Sequence, residues 1–120
     1  MYANYGIRPR RTRLVWLGRT AADVASFPED AQDKLGTALR FAQEGRVHHA
    51  AKPMQGSLRE VTEIAVRCED GTYRLMYSVK IGEVIYVLHT FKKKATDGIS
   101  TPKRYLALIE KRLKDAKEDA

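Results

Sequence analysis

The sequence predicts an α+β domain, with an N-terminal helical hairpin and a C-terminal helix packed on a twisted antiparallel sheet of about four strands. Three observations carry this. Between Asp70 and Lys94, aromatic and β-branched residues fall into two runs; in the first, Tyr73, Leu75, Tyr77 and Val79 alternate with Arg74, Met76 and Ser78. That is the period-two signature of a strand. Between Thr20 and Gly45, alanines and leucines recur at helical spacing. After Thr101-Pro102 a helical, amphipathic pattern returns.

Taken in order, residues 1–13 read as a basic flexible arm, with Arg8, Arg10, Arg11 and Arg13 around Pro9. A single domain is expected over 14–120. Leu14–Leu17 is a short apolar run closed by Gly18, an edge strand that leads into the sheet. Thr20 is a fair N-cap for a short helix over 21–27. Pro28 starts a second helix, with Glu29 and Asp30 in its first turn, where the helix dipole favours acids. Ala31, Leu35, Ala38, Leu39 and Ala42 form the apolar stripe of that helix, and Gly45 is its stop. This hairpin is expected to cover one face of the sheet.

Residues 46–56 read as a loop punctuated by Pro53 and Gly56. It carries His48, His49 and Lys52. Adjacent histidines invite a metal ion, but no third ligand and no Cys or acidic cluster accompanies them. No metal or cofactor is expected. Three antiparallel strands follow, over 58–67, 72–79 and 83–92. Glu69-Asp70-Gly71 and Ile81-Gly82-Glu83 are their turns. The third strand is almost wholly apolar and therefore central. It runs straight into Lys92-Lys93-Lys94. A polar loop over 95–101 leads to the last helix, with Thr101 as cap and Pro102 at the first position. Tyr105, Leu106, Leu108, Ile109 and Leu113 are its apolar residues.

Composition bounds the function. The 120 residues carry a net charge of +7, which points to an anionic partner, nucleic acid or an acidic protein. The one cysteine, Cys68, allows no internal disulfide, which fits a reducing cytoplasm. No apolar run approaches the about 20 residues of a membrane span, so no membrane partner is expected. The charged first residues lack the apolar segment of a secretory signal.

Five segments add a resemblance. They are Val15-Trp16-Leu17-Gly18, Lys52-Pro53-Met54-Gln55-Gly56, Thr72-Tyr73-Arg74, Tyr86-Val87-Leu88-His89-Thr90-Phe91-Lys92-Lys93-Lys94 and Gly98-Ile99-Ser100-Thr101-Pro102-Lys103. In order and spacing they resemble the phage-related HigB-like toxins of the RelE/ParE superfamily, over roughly residues 14–117. The resemblance implies a RelE/ParE-like fold and the toxin half of a type II toxin–antitoxin system. The implied activity is a metal-independent, ribosome-dependent mRNA endoribonuclease that blocks translation. The implied partners are a helix-turn-helix, HigA-like antitoxin, the ribosome and mRNA.

The residue chemistry can be set beside that. Metal-free RNA cleavage must align the 2′-OH with its phosphorus, stabilise the phosphorane and move protons. Arg74 is the first candidate, because a guanidinium fork matches two phosphate oxygens. Its alternative is a salt bridge to Glu60, Glu63 or Glu83. Lys93 and Lys52 are catalytic candidates; His89 reads first as a core residue sharing a face with Ile85, Val87 and Phe91, and its near-neutral pKa makes it a secondary catalytic candidate. Lys92, Lys94 and Arg67 are candidate RNA contacts. Tyr77 and Tyr105 could stack on bases or simply pack in the core. Two other functions stay open: a ParE-type gyrase inhibitor, and a phage-derived basic nucleic-acid-binding module without activity.

Overall fold

The computed structural model describes residues 11–78, 81, 84–93 and 101–119. Residues 1–10 of the expected 1–13 arm, Val79 of the expected 72–79 strand, Gly82-Glu83 of the expected turn, Lys94 and residues 95–100 of the expected loop lie outside them. In chain order the elements are β1 (Arg13–Trp16), α1 (Thr20–Ala25), α2 (Glu29–Gln43), β2 (Ala51–Pro53), β3 (Val61–Cys68), β4 (Gly71–Ser78), β5 (Val84–Lys93) and α3 (Lys103–Asp119). A single 3-10 turn, Gly56–Leu58, precedes β3.

The α+β expectation holds, with a sheet of different make-up. It has five strands in the order β1-β5-β4-β3-β2, and β1 runs parallel to β5. β2 lies inside the segment expected to be a loop. Three residues are too few to show a period, and pairing alone makes them a strand. Ala51 sits opposite Ile64, Lys52 opposite Glu63 and Pro53 opposite Thr62. Pro53 has no N–H to offer a further strand, which suits an edge. The direction of β1 was not readable either, because no turn connects it to β5.

Helix boundaries follow local chemistry. α2 starts at Glu29 with Pro28 in the cap position, and Glu29 and Asp30 occupy its first turn. It ends where Gly45 takes a φ of 77°, a left-handed conformation that favours glycine. α1 starts at Thr20 itself, one residue earlier than a Thr20 cap would set.

The sheet divides two cores. On one face α2 buries Ala31, Leu35, Ala38 and Leu39 against Ile64, Val66, Tyr73, Leu75, Tyr77, Ile85 and Val87, with Val24 of α1 packed alongside. On the other face α3 packs Ile109, Leu113 and Ala116 against Val61, Met76, Tyr86, Leu88 and Phe91. The alternation of β4 therefore places Tyr73, Leu75 and Tyr77 under the helical hairpin and Met76 under α3.

The pairing of β4 with β5 slips once. Tyr77 sits opposite Val87, but Met76 sits opposite His89. Leu88 is the extra residue of a β-bulge, a device that re-aims the side chains after it. Strict alternation puts His89 and Phe91 on the face of Ile85 and Val87. The bulge instead turns His89 and Phe91 to the α3 face, while Ile85 and Val87 stay under the hairpin.

Candidate functional site

Residues opposite one another in antiparallel strands share a face, so pairing alone assembles the site. One row across β2, β3, β4 and β5 reads Lys52, Glu63, Met76, His89. The next row on that face reads Ala65, Arg74, Phe91, and the third reads Arg67, Thr72, Lys93. Neighbouring strands lie about 4.8 Å apart and same-face rows about 6.6 Å apart. Lys52, Arg67, Arg74, His89 and Lys93 thus gather on one patch of the α3 face roughly 14 Å wide. Lys52 and Arg67 are exposed there, and Lys93 is half-buried.

Arg74 anchors the patch. Its Nη1 donates to Glu63 Oε2 at 2.5 Å, so the salt bridge to Glu63 foreseen as an alternative is formed. The two side chains keep only 16% and 12% of their surface. Such a pair is weak evidence for a purely stabilising role, because desolvation offsets much of the attraction. One fork edge holds Glu63, while Arg74 Nε is buried with no partner among the described residues. A buried donor in that condition is costly unless something accepts from it. A phosphate oxygen would do so. The backbone of Arg74 is engaged as well, since Thr90 Oγ1 donates to its carbonyl at 2.7 Å.

His89 lies on the same face, in the row of Glu63 and one strand over from Arg74. Its ring lies 4.5 Å from that of Tyr105 and 5.6 Å from that of Phe91, and Tyr105 and Phe91 are 4.6 Å apart. His89 Nε2 is buried and has no partner among the described residues. Burial holds its pKa below the usual imidazole value, the Arg112 guanidinium adds to this, and Asp23 opposes it weakly. The ring is therefore neutral at neutral pH, with a nitrogen able to accept a proton. Arg112, on α3, donates through Nη1 to the carbonyl of the bulge residue Leu88 at 2.7 Å. The bulge that turns His89 toward the patch is thereby tied to α3.

The other expected residues lie elsewhere. Lys92 sits opposite Tyr73, so it points to the hairpin face. There its Nζ lies 3.2 Å from Asp70 Oδ2 and 5.9 Å from the centre of the Tyr73 ring. Tyr77 is buried in the hairpin-side core, which leaves no ring face for a base. Tyr105 is on the right face, but its ring is occupied by His89 and Phe91, with the Arg104 guanidinium 4.6 Å from its centre. Lys94 lies outside the described residues. Glu63, Arg104 and Arg112 carry no functional signal in the sequence. Glu63 stood as one of three acids that could meet Arg74, and only the β3–β4 register selects it. Among the described residues no group of three or more His, Cys, Asp or Glu is placed to hold a metal ion, and no helix is long and apolar enough to cross a membrane.

The family described as "Phage derived protein Gp49-like (DUF891)" matches residues 22–114. The chain belongs to that family. No curated protein sequence matches it. Among solved structures it is similar to a chain of the toxin–antitoxin complex RelBE2 from Mycobacterium tuberculosis. The two are 17% identical with a TM-score of 0.47, over 69% of this chain and 99% of the other.

Proposed function

We propose that this member of the Gp49-like family is the toxin of a toxin–antitoxin pair, and that it cuts ribosome-bound mRNA. The segments that resemble HigB-like toxins support the toxin reading and, with it, a helix-turn-helix antitoxin. One observation supports the nuclease reading above all: a largely buried Arg74–Glu63 pair shares a sheet face and a basic patch with a neutral His89. In this reading Glu63 fixes the Arg74 fork, and the unpartnered side of that fork takes the scissile phosphate. Neutral His89 takes the 2′-OH proton as the 2′-oxygen attacks phosphorus. Arg74 stabilises the phosphorane, and the 5′-oxygen leaves with a proton from solvent. Lys52, Arg67 and Lys93 hold neighbouring phosphates.

The test is induced expression in a bacterial host, following growth and the 5′ ends of cellular mRNA. New 5′ ends inside translated frames are expected. Arg74→Lys, which keeps the charge and loses the fork, should lower cleavage about 100-fold or more, the scale for removing one transition-state donor. Full toxicity of a folded Arg74→Lys variant would overturn the site. Growth arrest with intact mRNA would move the protein to a gyrase-directed class. No arrest, with salt-sensitive nucleic-acid binding, would leave a binding module.

A further inference from the structure

The patch does not use His48 and His49, yet the structure builds them into a wall. A cleft of about 530 Å³ opens at the edge of the sheet where β2 has ended and β3 runs on. His48, His49, Lys34, Thr37 and Arg67 are among its lining residues. The His49 ring lies on His48, 4.1 Å between centres and 31° between planes. His48 in turn meets Phe41 edge-on at 4.9 Å, and the Arg46 guanidinium sits 4.2 Å from the Phe41 ring centre. His48 Nδ1 accepts a hydrogen bond from the Ala50 N–H at 3.0 Å, which fixes the ring about its own axis. Phe41, His48 and His49 are thus a three-ring ladder whose last rung, His49, is exposed.

The cleft adjoins the basic patch at the edge of β3, with Asp33, Lys34 and Thr37 of α2 on its other side. Ala65 and Arg67 line it, and the same two residues belong to the second and third rows of the α3 face. Lys34 spends its ammonium on the Arg67 carbonyl at 2.7 Å and on Asp30 at 3.2 Å. This closes the free backbone edge of β3 to an added strand and leaves the guanidinium of Arg67 as the exposed cation between cleft and patch. A held aromatic surface beside an exposed guanidinium is the arrangement that takes a base and its phosphate together, and the volume suits a ligand of that size.

We propose that this cleft is a subsite for one unpaired nucleotide of the bound RNA, its base stacked on the His48–His49 ladder and its phosphate on Arg67. The inference rests on the nuclease reading, because the strand must continue from the Arg74 patch. It gives the enzyme a contact with a nucleotide away from the scissile bond.

The chain has three histidines, two in the cleft and one in the patch, so histidine-labelled full-length protein reports both places at once by NMR. Titration with adenosine 5′-monophosphate should shift the His48 and His49 ring signals, and ribose 5-phosphate should not. His49→Ala should weaken nucleotide binding about tenfold, the scale of one lost base stack, while a short single-stranded RNA still shifts His89. Shifts at His89 with none at His48 or His49 would overturn the subsite and leave the nuclease reading standing. Equal shifts with inorganic phosphate would overturn it as an anion site only. No shift at any histidine with the short RNA would overturn the subsite, and the 5′ ends of cellular mRNA would decide the nuclease reading separately.

Discussion

The two faces of one sheet have been put to opposite uses. Under the helical hairpin, Tyr73, Leu75 and Tyr77 of β4 meet Leu35 and Leu39 in a closed apolar layer. On the other face α3 covers Met76 and Leu88, but Glu63 stands in the row of Met76 itself, and the rows further along carry Arg74, Arg67 and Lys93. The strands are shared, so a residue's role is decided by its parity and by the Leu88 bulge. Adjacent residues can thus differ completely: Leu75 is wholly buried in a core, and Arg74 beside it is a buried charge with an unpartnered donor. Rigidity on the first face positions chemistry on the second.

The largest effect expected tests the closed face. Leu75→Ala should cost about 4 kcal/mol, since a fully buried leucine loses its transfer energy and leaves a cavity. Urea unfolding followed by circular dichroism measures this. A loss below about 1 kcal/mol would mean that the face relaxes freely, and the contrast between the faces would collapse.

A somewhat smaller effect is expected across the sheet. Glu63→Ala should cost about 3 kcal/mol, because it strands the Arg74 guanidinium in a mostly buried site. Replacing both partners with apolar residues, Glu63→Leu with Arg74→Met, should recover most of that stability and abolish mRNA cleavage. If the double variant were as unstable as the single one, the pair would be structural and the open face merely a second core.

How much of this division is legible in the sequence differs by region. The alternation over Tyr73–Ser78 places Arg74 opposite Tyr73 and Tyr77 without any coordinates, and the structure agrees. The apolar stripe of α2 and the stop at Gly45 are equally readable. The bulge is not. No Gly or Pro marks Leu88, and the slip exists only in the pairing of β5 with β4. Lys92 looks equivalent to Lys93 in a run of lysines, yet neighbouring strand residues face opposite ways. β2 and the choice of Glu63 as partner both depend on register. The histidine ladder depends on Phe41, seven residues before His48, and on the fold of the connection between them. Local pattern sets faces, and long-range pairing sets which residues on a face meet.

The faces should also titrate at opposite ends of the pH scale. On the closed face, burial and the hydrogen bond to Asp70 push the Tyr73 phenol up to about 12. That contribution is complete below the unfolded phenol value near 10 and is lost as pH rises through about 12. At the patch, burial lowers His89, and at the cleft burial and His49 lower His48. An imidazole whose folded pKa is lowered stabilises fully above about 6.5, and the contribution disappears as pH falls through the folded value. Melting temperature against pH should therefore fall at both ends, and His89→Gln should flatten part of the acid limb alone. With His89 as the base, cleavage should likewise rise with pH through a midpoint below 6.5 and be level at neutrality. A midpoint above 7 would remove His89 from that role.

The smallest effects separate two basic residues that the sequence treats alike. Lys92 faces the hairpin side and pairs with Asp70 in a half-exposed contact, which is worth less than about 1 kcal/mol. Lys92→Ala should leave both stability and RNA affinity close to wild type. Arg67 stands in the third row of the open face, so Arg67→Ala should weaken binding of single-stranded RNA and lower its salt slope by about 1. Fluorescence anisotropy at several salt concentrations reads both. Equal losses from the two variants would mean that RNA passes beyond the cleft at the β3 edge to Asp70 and Tyr73 on the hairpin face, and the assignment of Lys92 to the side away from RNA would have to be given up. A loss from Arg67→Ala alone would confine the anion track to the side that carries Arg74, where the parity of β3, β4 and β5 directs the charge.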